Sequence, residues 1–584
     1  MTEETKESRV VGKHVLETLT VGMYADNRII FREYIQNAAD AIDKAVAVGI
    51  LNNREEGQIK ITIDNEKREI NIRDNGIGIP NEEVSHGLGD IGNSQKIHTE
   101  NRGFRGIGRL GGLAYCKELQ FITSYQGEDC KTIMVWDCDE LKRYLQPHEG
   151  QDMSVIEVVD AVTILDKQSE QVDEHYFEVI LTGITKGHDK LLDIDDVRDY
   201  LSQVAPVPFN CQKLPVLKTV NEKLITLGKE PEEFNIFLYH KQDYIEQIYK
   251  PYQLSVRISD KKGEDNTDLI KGIELFDSYK DDSSLFFLGW YSITDLRGMI
   301  KDQKVNGLRV RKGNIQIGNN RTLDSFFGSE SNHRFNRWFV GEIYVFDDNL
   351  LPNGQRDDFE QNDAFFRFKE EAEKTTIKKL VKLPYDSSKA RSNEKIIRES
   401  LGGIKEIEQE IASGVTDTRK EQLLEKRIQI EQKVKRINTT SRSKTPLATT
   451  QKNTKIAQPV VYREKEAIPN SIAETRVTIS VQNTKIAGKT ATTVINDGHE
   501  AKLEKTQNEK ETLLNQLQDL GEKIQHIEKR PTDEIPSSYS KDVRKVVRII
   551  FEVIDRELPE DLAKELKVHI NEELKQHKGK KEKR

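Results

Sequence analysis

Cysteine and long apolar runs are both scarce in this sequence of 584 residues. The four cysteines (Cys116, Cys130, Cys138 and Cys211) form no C-x-x-C pair and have no histidine at ligand spacing. This excludes a disulfide scaffold and a zinc site, and it suits a reducing compartment. The sequence contains no run of about 18 apolar residues, the length that spans a bilayer. Its polar start, MTEETKESRVVGKHV, is unlike a signal peptide. These absences predict a soluble, cytoplasmic protein without a membrane partner.

Basic residues are in the minority as well. The chain has 90 Lys+Arg against 99 Asp+Glu, a formal net charge of −9. This balance excludes a uniformly basic nucleic-acid-binding surface but not a local basic patch. Hydrophobic residues make up 35% and charged residues 32% of the chain, where about 45–50% and about 25% are usual in globular domains. Part of the chain is therefore expected to lie outside a packed core.

Changes in composition and periodicity divide the chain into six predicted segments. They are an α+β unit at 1–210, a second α/β unit at 211–385, a helical or coiled-coil segment at 386–437, a low-complexity, disordered linker at 438–498, a coiled coil at 499–530, and a terminal helical unit with a basic tail at 531–584. The first unit alternates helical and strand-like patterns, which predicts an α+β sandwich with helices on one face of a mixed sheet.

A leucine and isoleucine seam near the end of the chain indicates a coiled coil. Leu513, Leu517, Leu520, Ile524 and Ile527 follow one another at steps of four and three residues. That spacing places one apolar stripe along a helix, as in coiled coils. The stripe predicts either a dimer formed through this seam or an intramolecular helical hairpin.

The first segment that carries chemistry is REYIQNAADAID, on a helix predicted from Asp26 to Val48, with Asp26 as its N-cap and Gly49 as its stop. Glu33 and Asn37 are four residues apart and therefore share one helix face, and Asp40 lies close to the same stripe. An acid and an amide on one face can orient a water and hold a magnesium ion.

The second segment, DNGIGIP at 74–80, directly follows the predicted strand EINIRD. Asp74 ends the strand, where its carboxylate can accept a hydrogen bond from an exocyclic amine such as that of adenine. Gly76 and Gly78 would let the backbone approach a flat ring without an obstructing Cβ.

The third segment is GFRGIGRLGG at 103–112. Gly103, Gly106 and Gly108 precede an apolar run that can open a helix, so backbone N–H groups could hold phosphate, with Arg105 and Arg109 as additional charge. The segment is not a dinucleotide-binding fingerprint, because no βαβ unit surrounds it. It is not a Walker A loop either, because no Gly-Lys-Ser/Thr follows.

Together, in this order, the three segments resemble the N, G1 and G2 boxes of the GHKL ATPases, a superfamily that includes gyrase B, heat-shock-protein-90 chaperones, sensor histidine kinases and MutL. The resemblance implies a Bergerat ATP-binding fold with ATP and Mg²⁺ as ligands. It implies that Glu33 is the general base, that Asn37 ligates Mg²⁺ and that Asp74 binds adenine. The loop at about 81–108 would close over ATP as a lid. The remaining implied nucleotide contacts are Asp40, Gly76, Gly78, Lys96, Gly103, Arg105, Gly106, Ile107 and Gly108.

Residues 308–363 resemble the middle domain of heat-shock-protein-90 chaperones, which carries a run of Arg-Glu-x-x-Gln-Gln-Asn. Arg356 matches the catalytic arginine that reaches the γ-phosphate from the second domain, and Gln361 and Asn362 also match, whereas Glu360 replaces a glutamine. An arginine from a second domain would couple hydrolysis to domain docking.

One position departs from the heat-shock pattern. The family carries Gly-Thr before the last strand of the sheet, and its threonine supports the adenine-binding acid. The corresponding stretch here is HYFEVILTG, with Tyr176 and Phe177 at that place. Thr182 comes too late in the strand to take this role.

The sequence therefore predicts an ATP-hydrolysing molecular clamp that acts as a homodimer, formed either on ATP binding or through the coiled coil. A chaperone-like clamp acting on client proteins is the first hypothesis. A nucleic-acid clamp or defence ATPase similar in use to MORC proteins is the second, and the basic stretch KVKRINTTSRSK at 433–444 favours it. An ATP-gated scaffold with little turnover is the third, against which the intact Glu33 argues.

Overall fold

The computed structural model describes residues 13, 16–17, 26–90, 108–146, 153–259, 266–413, 417–437, 460–461, 491–526 and 539–581. The chain forms two compact units. The first comprises residues 1–387 and 453–491, and the second comprises residues 388–452 and 492–584. No helix in the described ranges combines the length and apolarity that a membrane span requires.

The first unit begins with a mixed eight-stranded sheet in the order β5-β4-β3-β6-β2-β1-β7-β8, in which only β1 and β7 pair in parallel. Its strands are β1 (Gln58–Asp64), β2 (Glu69–Asp74), β3 (Glu118–Ser124), β4 (Cys130–Asp137), β5 (Thr163–Ser169), β6 (Tyr176–Thr182), β7 (Asn235–His240) and β8 (Asp243–Gln247). The accompanying helices are α1 (Ile29–Ala47), α2 (Val84–Gly89), α3 (Cys138–Tyr144), α4 (Val155–Val162), α5 (Ile194–Val204) and α6 (Lys218–Thr226). The α+β prediction is confirmed.

Alternating burial explains how the sheet and α1 pack. Every second residue of β2 is buried, and the isoleucines of β1 and β2 join one core with the apolar face of α1. The helix begins later than predicted, at Ile29, because the Asp26 carboxylate accepts from the Arg28 backbone N–H at 3.0 Å. It ends as predicted before Gly49, whose φ is +81°.

One strand lies in a different sheet from the predicted one. The sequence pattern assigns FNIFLYH to the second unit at 211–385, but β7, which contains most of this segment, pairs in parallel with β1 from Gln58↔Asn235 to Ile63↔His240. A sequence pattern shows that a segment is a strand but not which strand it pairs with, because pairing is a long-range contact.

The second sheet has the order β14-β13-β15-β12-β11-β16. The strands of this region are β9 (Ser255–Arg257), β10 (Thr267–Leu269), β11 (Gly272–Tyr279), β12 (Leu285–Ile293), β13 (Gly307–Lys312), β14 (Ile315–Ile317), β15 (Val340–Val345) and β16 (Val460–Val461), where β9 and β10 form a separate pair. The region also contains two helices, α7 (Glu330–His333) between β14 and β15 and α8 (Asp363–Ala372) after β15. Gly313 and Asn314 make the two-residue turn between β13 and β14 with φ of 58° and 57°, as a type I′ hairpin requires.

A buried ionic network ties this second sheet to the end of α5. Glu342 is fully buried, and its carboxylate accepts from Lys250 Nζ at 2.9 Å, from the Tyr252 hydroxyl at 2.8 Å and from Arg311. Burial alone would raise the pKa of Glu342, but the charges of Arg311 and Lys250 hold it at about 2. Arg311 also donates to the Gln203 carbonyl at 2.8 Å.

In the second unit the predicted coiled-coil seam is buried within the chain. The helices are α9 (Lys378–Ser413), which starts in the first unit, α10 (Asp417–Lys435) and α11 (Ala491–Gln525). Four seam residues of α11 share one core with α9 and α10, and they are Leu513, Leu517, Leu520 and Ile524. This arrangement corresponds to the intramolecular alternative, but with three helices in place of a two-helix hairpin. Ile527 of the predicted seam lies outside the described residues. Because α11 begins at Ala491, the predicted linker ends earlier than residue 498.

Two further helices, α12 (Lys541–Glu557) and α13 (Glu560–Lys581), form a hairpin at the end of the chain. Val547, Phe551 and Ile554 of α12 pack against Ala563 of α13. The pairing is antiparallel, because the Tyr539 hydroxyl, just before α12, donates to the Asn571 carbonyl midway along α13, whereas Ile554 near the end of α12 packs with Ala563 near the start of α13.

Candidate active site

Helix α1 presents the acidic side chains that the first motif predicts to share a face. Glu33 is 7% exposed and Asp40 is 4% exposed, while Asn37 between them is half-buried. The opposite face of the helix is anchored in the core by residues such as Ile35 and Ile42. Packing of the apolar face therefore fixes the direction of the polar one.

The backbone of the third motif lies directly on Glu33. A Cβ placed on Gly108 would be 2.0 Å from Glu33 Oε2, so only glycine allows this approach. The segment is held by Tyr34, whose hydroxyl donates to the Arg109 carbonyl at 3.1 Å and accepts from the Gly112 N–H at 3.2 Å. Burial raises the pKa of Tyr34 well above its ordinary value, so its hydroxyl stays a neutral donor.

Arg356 reaches the same carboxylate from the second-sheet region. Its Nε lies 2.9 Å from Glu33 Oε1, in an ion pair without the alignment of a hydrogen bond. Arg32, the neighbour of Glu33 on α1, donates to the carbonyls of Gln355 at 3.1 Å and Arg356 at 3.4 Å. The Gly318 N–H donates to the same Arg356 carbonyl at 2.9 Å.

This anchoring holds Arg356 in a left-handed backbone conformation, with φ of 55°. Such a φ is uncommon for a residue other than glycine and costs conformational energy, which the surrounding contacts must offset. Two adjacent residues of α1 thus hold the arginine, one at its backbone and one at its guanidinium.

Asp74 ends β2 and is buried, with 4% exposure. Its Oδ1 accepts from the Gly76 N–H at 2.8 Å, and the Ile77 N–H donates to the Ala41 carbonyl of α1 at 3.1 Å. Burial raises the pKa of Asp74 to about 7, against the hydrogen bond from Gly76, which lowers it. The carboxyl therefore changes its charge near neutral pH.

The glycines of the second motif pack closely against the protein itself. A Cβ on Gly76 would be 2.6 Å from the Ala41 Cβ, and one on Gly78 would be 2.0 Å from the Ser124 carbonyl oxygen. Gly78 also has a φ of +74°. Both glycines let the loop pack closely on its own protein, and this packing positions Asp74.

Thr123 supports this loop and was not singled out from the sequence. It is fully buried on β3, and its hydroxyl accepts from the Ile79 N–H at 2.8 Å and donates to the Tyr176 carbonyl at 3.2 Å. A polar residue at an inward position of the alternating segment ELQFITS was the available signal. Thr182 pairs with Glu118, at the other end of β6 from Phe177, which pairs with Asp74, so the prediction that Thr182 comes too late is confirmed.

Residues 28–168 match a family model described as histidine kinase-, DNA gyrase B-, and HSP90-like ATPase. This match identifies an ATPase domain of that kind within the chain. The resemblance inferred from the three motifs is thereby confirmed for the first domain. The match ends before Arg356, so the middle-domain resemblance remains a prediction.

Several chaperones have sequences similar to part of the chain. The chaperone protein HtpG of Alkaliphilus oremlandii is 32% identical over 192 residues, 30% of this chain and 30% of the relative. HtpG of Halalkalibacterium halodurans is 29% identical over 204 residues, 32% of each chain. HtpG of Anaplasma marginale is 34% identical over 141 residues, 22% of each chain. The chain therefore matches about a third or less of the length of these relatives.

Part of the predicted phosphate-binding set of the ATPase domain cannot be placed. Lys96, Gly103, Arg105, Gly106 and Ile107 lie outside the described residues, as does most of the predicted lid. Arg109, expected as additional charge for phosphate, instead donates to the carbonyl oxygens of Leu88 and Asp90. Its guanidinium therefore fastens the segment next to α2.

The donor set of the ATPase domain fits Mg²⁺ bound mainly through a nucleotide. Within the described ranges, no three His, Cys, Asp or Glu side chains are grouped to hold a metal ion. Mg²⁺ commonly uses one or two protein oxygens, with waters and substrate phosphates completing its shell. The half-buried Asn37 amide, on the face that carries Glu33, suits that mode, and the buried Asp74 carboxylate suits an amine donor.

Proposed function

We propose that the protein binds ATP with Mg²⁺ and hydrolyses it. The observation that carries this proposal is that Glu33 and Arg356 meet at 2.9 Å, on the helix face that also bears Asn37. The backbone of the third motif lies against the same carboxylate. An acid, a metal-binding amide, an arginine and a glycine-rich segment are the groups that phosphoryl transfer to water requires.

Each residue takes one role. Asp74 accepts a hydrogen bond from the adenine amine, and Asn37 holds Mg²⁺, which neutralises phosphate charge when it is bound. Glu33 orients a water and accepts its proton. Arg356 stabilises the charge that develops on the transferred phosphoryl group, with the segment ending at Gly108 contributing backbone N–H donors.

The ion pair between Glu33 and Arg356 is a resting arrangement. In this pair the guanidinium occupies the carboxylate that would otherwise orient the attacking water. Productive catalysis therefore needs Arg356 to leave Glu33 and turn towards the phosphate. Its release would couple ATP binding to a movement of the loop that carries it, which is the property of a molecular clamp.

A chaperone-like clamp is the biological role that we favour, because the similar proteins are chaperones and because the pair of Glu33 and Arg356 matches the expectation from the heat-shock middle domain. A nucleic-acid clamp is the alternative. Its main sequence support, the stretch at 433–444, lies largely outside the described residues. A scaffold with little turnover is less consistent with the intact set of Glu33, Asn37 and Arg356.

The test is ATP turnover by the purified full chain, with and without duplex DNA and with an unfolded model client, next to the Glu33→Ala variant. We expect turnover that Glu33→Ala abolishes while nucleotide binding is retained. Normal hydrolysis in that variant would refute the base assignment. Stimulation by DNA, with the salt sensitivity of phosphate contacts, would favour the nucleic-acid clamp, whereas protection of the client from aggregation would favour the chaperone.

We infer that the protein self-associates through the surface of the α12–α13 hairpin, because the seam of α11 is buried within its own chain. Val543, Val546, Ile550 and Val553 of α12 form a second stripe with steps of three and four residues, between 40% and 56% exposed. Leu562 and Leu566 of α13 are exposed too. On each helix the exposed stripe is rotated about the helix axis, in the same sense, from the face that packs on the other helix. Because the two helices are antiparallel, the two exposed stripes therefore lie on the same side of the hairpin.

A second copy of the chain is the occupant that suits this apolar side. A two-helix hairpin is too small to bury a full core by itself, and two such hairpins would form a four-helix bundle. The protein would then be a homodimer without ATP.

A further inference from the structure

Unpaired buried polar atoms are concentrated on the first turns of α1. In the described part of the chain, fifteen buried side-chain nitrogen and oxygen atoms have no hydrogen-bond partner. Four of them belong to Arg32, Glu33 and Gln36, and Gln36 contributes both its amide oxygen and its amide nitrogen. The Gln36 side chain is only 1% exposed, so water at the surface cannot compensate for the missing bonds.

Such an amide is unfavourable unless a ligand completes it. Burying an amide without partners costs the hydrogen bonds that it makes in water, and most buried side-chain polar groups are paired. Leucine or methionine would fill similar space without this penalty. Gln36 is also the only one of the three residues with neither a hydrogen bond nor an ion pair, because Arg32 holds the Gln355 carbonyl and Glu33 is paired with Arg356.

Its place on the helix associates Gln36 with the candidate active site. Gln36 lies three residues after Glu33 and four before Asp40, so the three side chains follow one ridge of the helix. Gly108 covers Glu33 from the third motif, and Arg356 approaches Glu33 from the second sheet. A buried, unpaired amide thus lies one helical turn from the proposed general base.

We propose that Gln36 is a further catalytic residue, whose Nε2 donates to the terminal phosphate of ATP and whose Oε1 accepts from the attacking water. The inference rests on the proposed ATP hydrolysis. Glu33 accepts one proton of the water as its oxygen bonds to the γ-phosphorus, and the bridging bond breaks with its electron pair remaining on ADP. Gln36 keeps its protons throughout, since a neutral amide can donate and accept at once.

The proposal predicts that removing the amide affects the binding of ATP but not of ADP, because only ATP carries the phosphate that Nε2 would contact. The test uses the full chain and the variant Gln36→Met, which keeps an unbranched side chain of similar length without the amide. Three quantities are measured: the Tm without nucleotide, the Kd values for ADP and for the non-hydrolysable β,γ-imido analogue of ATP, and the steady-state turnover of ATP. Gln36→Leu serves as a second variant in case the first one folds poorly.

Thr376→Val is the matched control. Thr376 is 2% exposed and its hydroxyl is also unpaired, but it lies on the π-helical turn Glu373–Ile377, after α8. Removing either unpaired group should raise the Tm, by about 2 °C for a change of this kind. Only Gln36→Met should also weaken binding of the β,γ-imido analogue, by about tenfold, and slow turnover by about 10²-fold, with ADP affinity unchanged.

Three results would overturn the proposal. Equal loss of affinity for ADP and for the analogue would place the amide away from the terminal phosphate. Unchanged affinity for the analogue and unchanged turnover would show that the amide has no part in hydrolysis. A lowered Tm in both Gln36 variants would show that the amide has a structural partner. Failure of the proposed function itself would appear without any change at Gln36, as no saturable ATP binding by the wild type or as turnover that survives Glu33→Ala.

Discussion

Nε of Arg356 lies 2.9 Å from Oε1 of Glu33, so the two side chains proposed for the chemical step neutralise each other. Arg32 makes this contact possible, because it holds the Arg356 backbone at the next position along α1. The same helix thus carries the proposed base and the support of the arginine that opposes it. Movement of the arginine loop would break the ion pair of Glu33 and the contacts of Arg32 together.

Arg356→Ala should bind nucleotide nearly as tightly as the wild type and turn it over about 10³-fold more slowly, because an arginine that stabilises phosphoryl transfer contributes mainly in the transition state. Steady-state kinetics and a separate Kd for ADP distinguish the two effects. Arg321→Ala, at an exposed position of the same region, is the control and should leave both values unchanged. An unchanged rate in Arg356→Ala would mean that this arginine serves only to hold the resting pair.

Gly108→Ala should reduce turnover by about 10²-fold, since the added Cβ would lie 2.0 Å from Glu33 Oε2 and either group has to shift. Gly402→Ala is the control. It lies within α9, where no atom would come within 4 Å of the added Cβ, and it should be neutral. Equal rates in the two variants would contradict the close approach of the third motif to Glu33.

Nucleotide affinity should increase from pH 6 to pH 8. Burial raises the pKa of Asp74 to about 7, and the ionised carboxylate accepts from the adenine amine more strongly than the protonated carboxyl does. About a tenth of the carboxyl groups are ionised one pH unit below the pKa and about nine-tenths one unit above it. The Kd for ADP should therefore increase about tenfold from pH 8 to pH 6. Titration calorimetry across this range checks it. Asp74→Asn should bind weakly at every pH, and a flat profile in the wild type would remove Asp74 from adenine recognition.

The double variant Val546→Glu/Val553→Glu should convert a dimer into a monomer in sedimentation experiments without nucleotide, because it places four charges in the apolar interface of two hairpins. Val48→Glu is a control at a 62% exposed position after α1. A wild-type chain that sediments as a monomer would refute self-association through α12 and α13. A dimer that persists in the double variant would place the interface elsewhere.

Local patterns predicted the elements that depend on local forces. The alternation in β1 and β2 and the periodicity of α1 each follow from one apolar face, and the shared face of Glu33, Asn37 and Asp40 follows from helical spacing alone. Contacts between residues far apart in the sequence could not be predicted from local patterns. The pairing of β7 with β1, the hydrogen bonds of Thr123 and the contact of Gly108 with Glu33 all join residues that are far apart in the sequence.

The seam of α11 illustrates a second limit. Its spacing predicted a helix with one apolar stripe, and the stripe is present, but spacing does not identify the partner. Burial against α9 and α10 decides for an intramolecular core. The glycines at 76 and 78 are a similar case, because sequence indicates where a Cβ is not tolerated but not which neighbour excludes it.

The pairing of β7 with β1 has a practical consequence for dividing the protein. A fragment ended at residue 210, where the composition suggests a boundary, would lack β7 and β8 and would leave the whole length of β1 as an unprotected edge, with its backbone N–H and C=O groups open to other chains. Such a fragment would tend to aggregate for reasons unrelated to nucleotide. An ATPase fragment suitable for binding studies has to extend at least to Gln247, the last residue of β8.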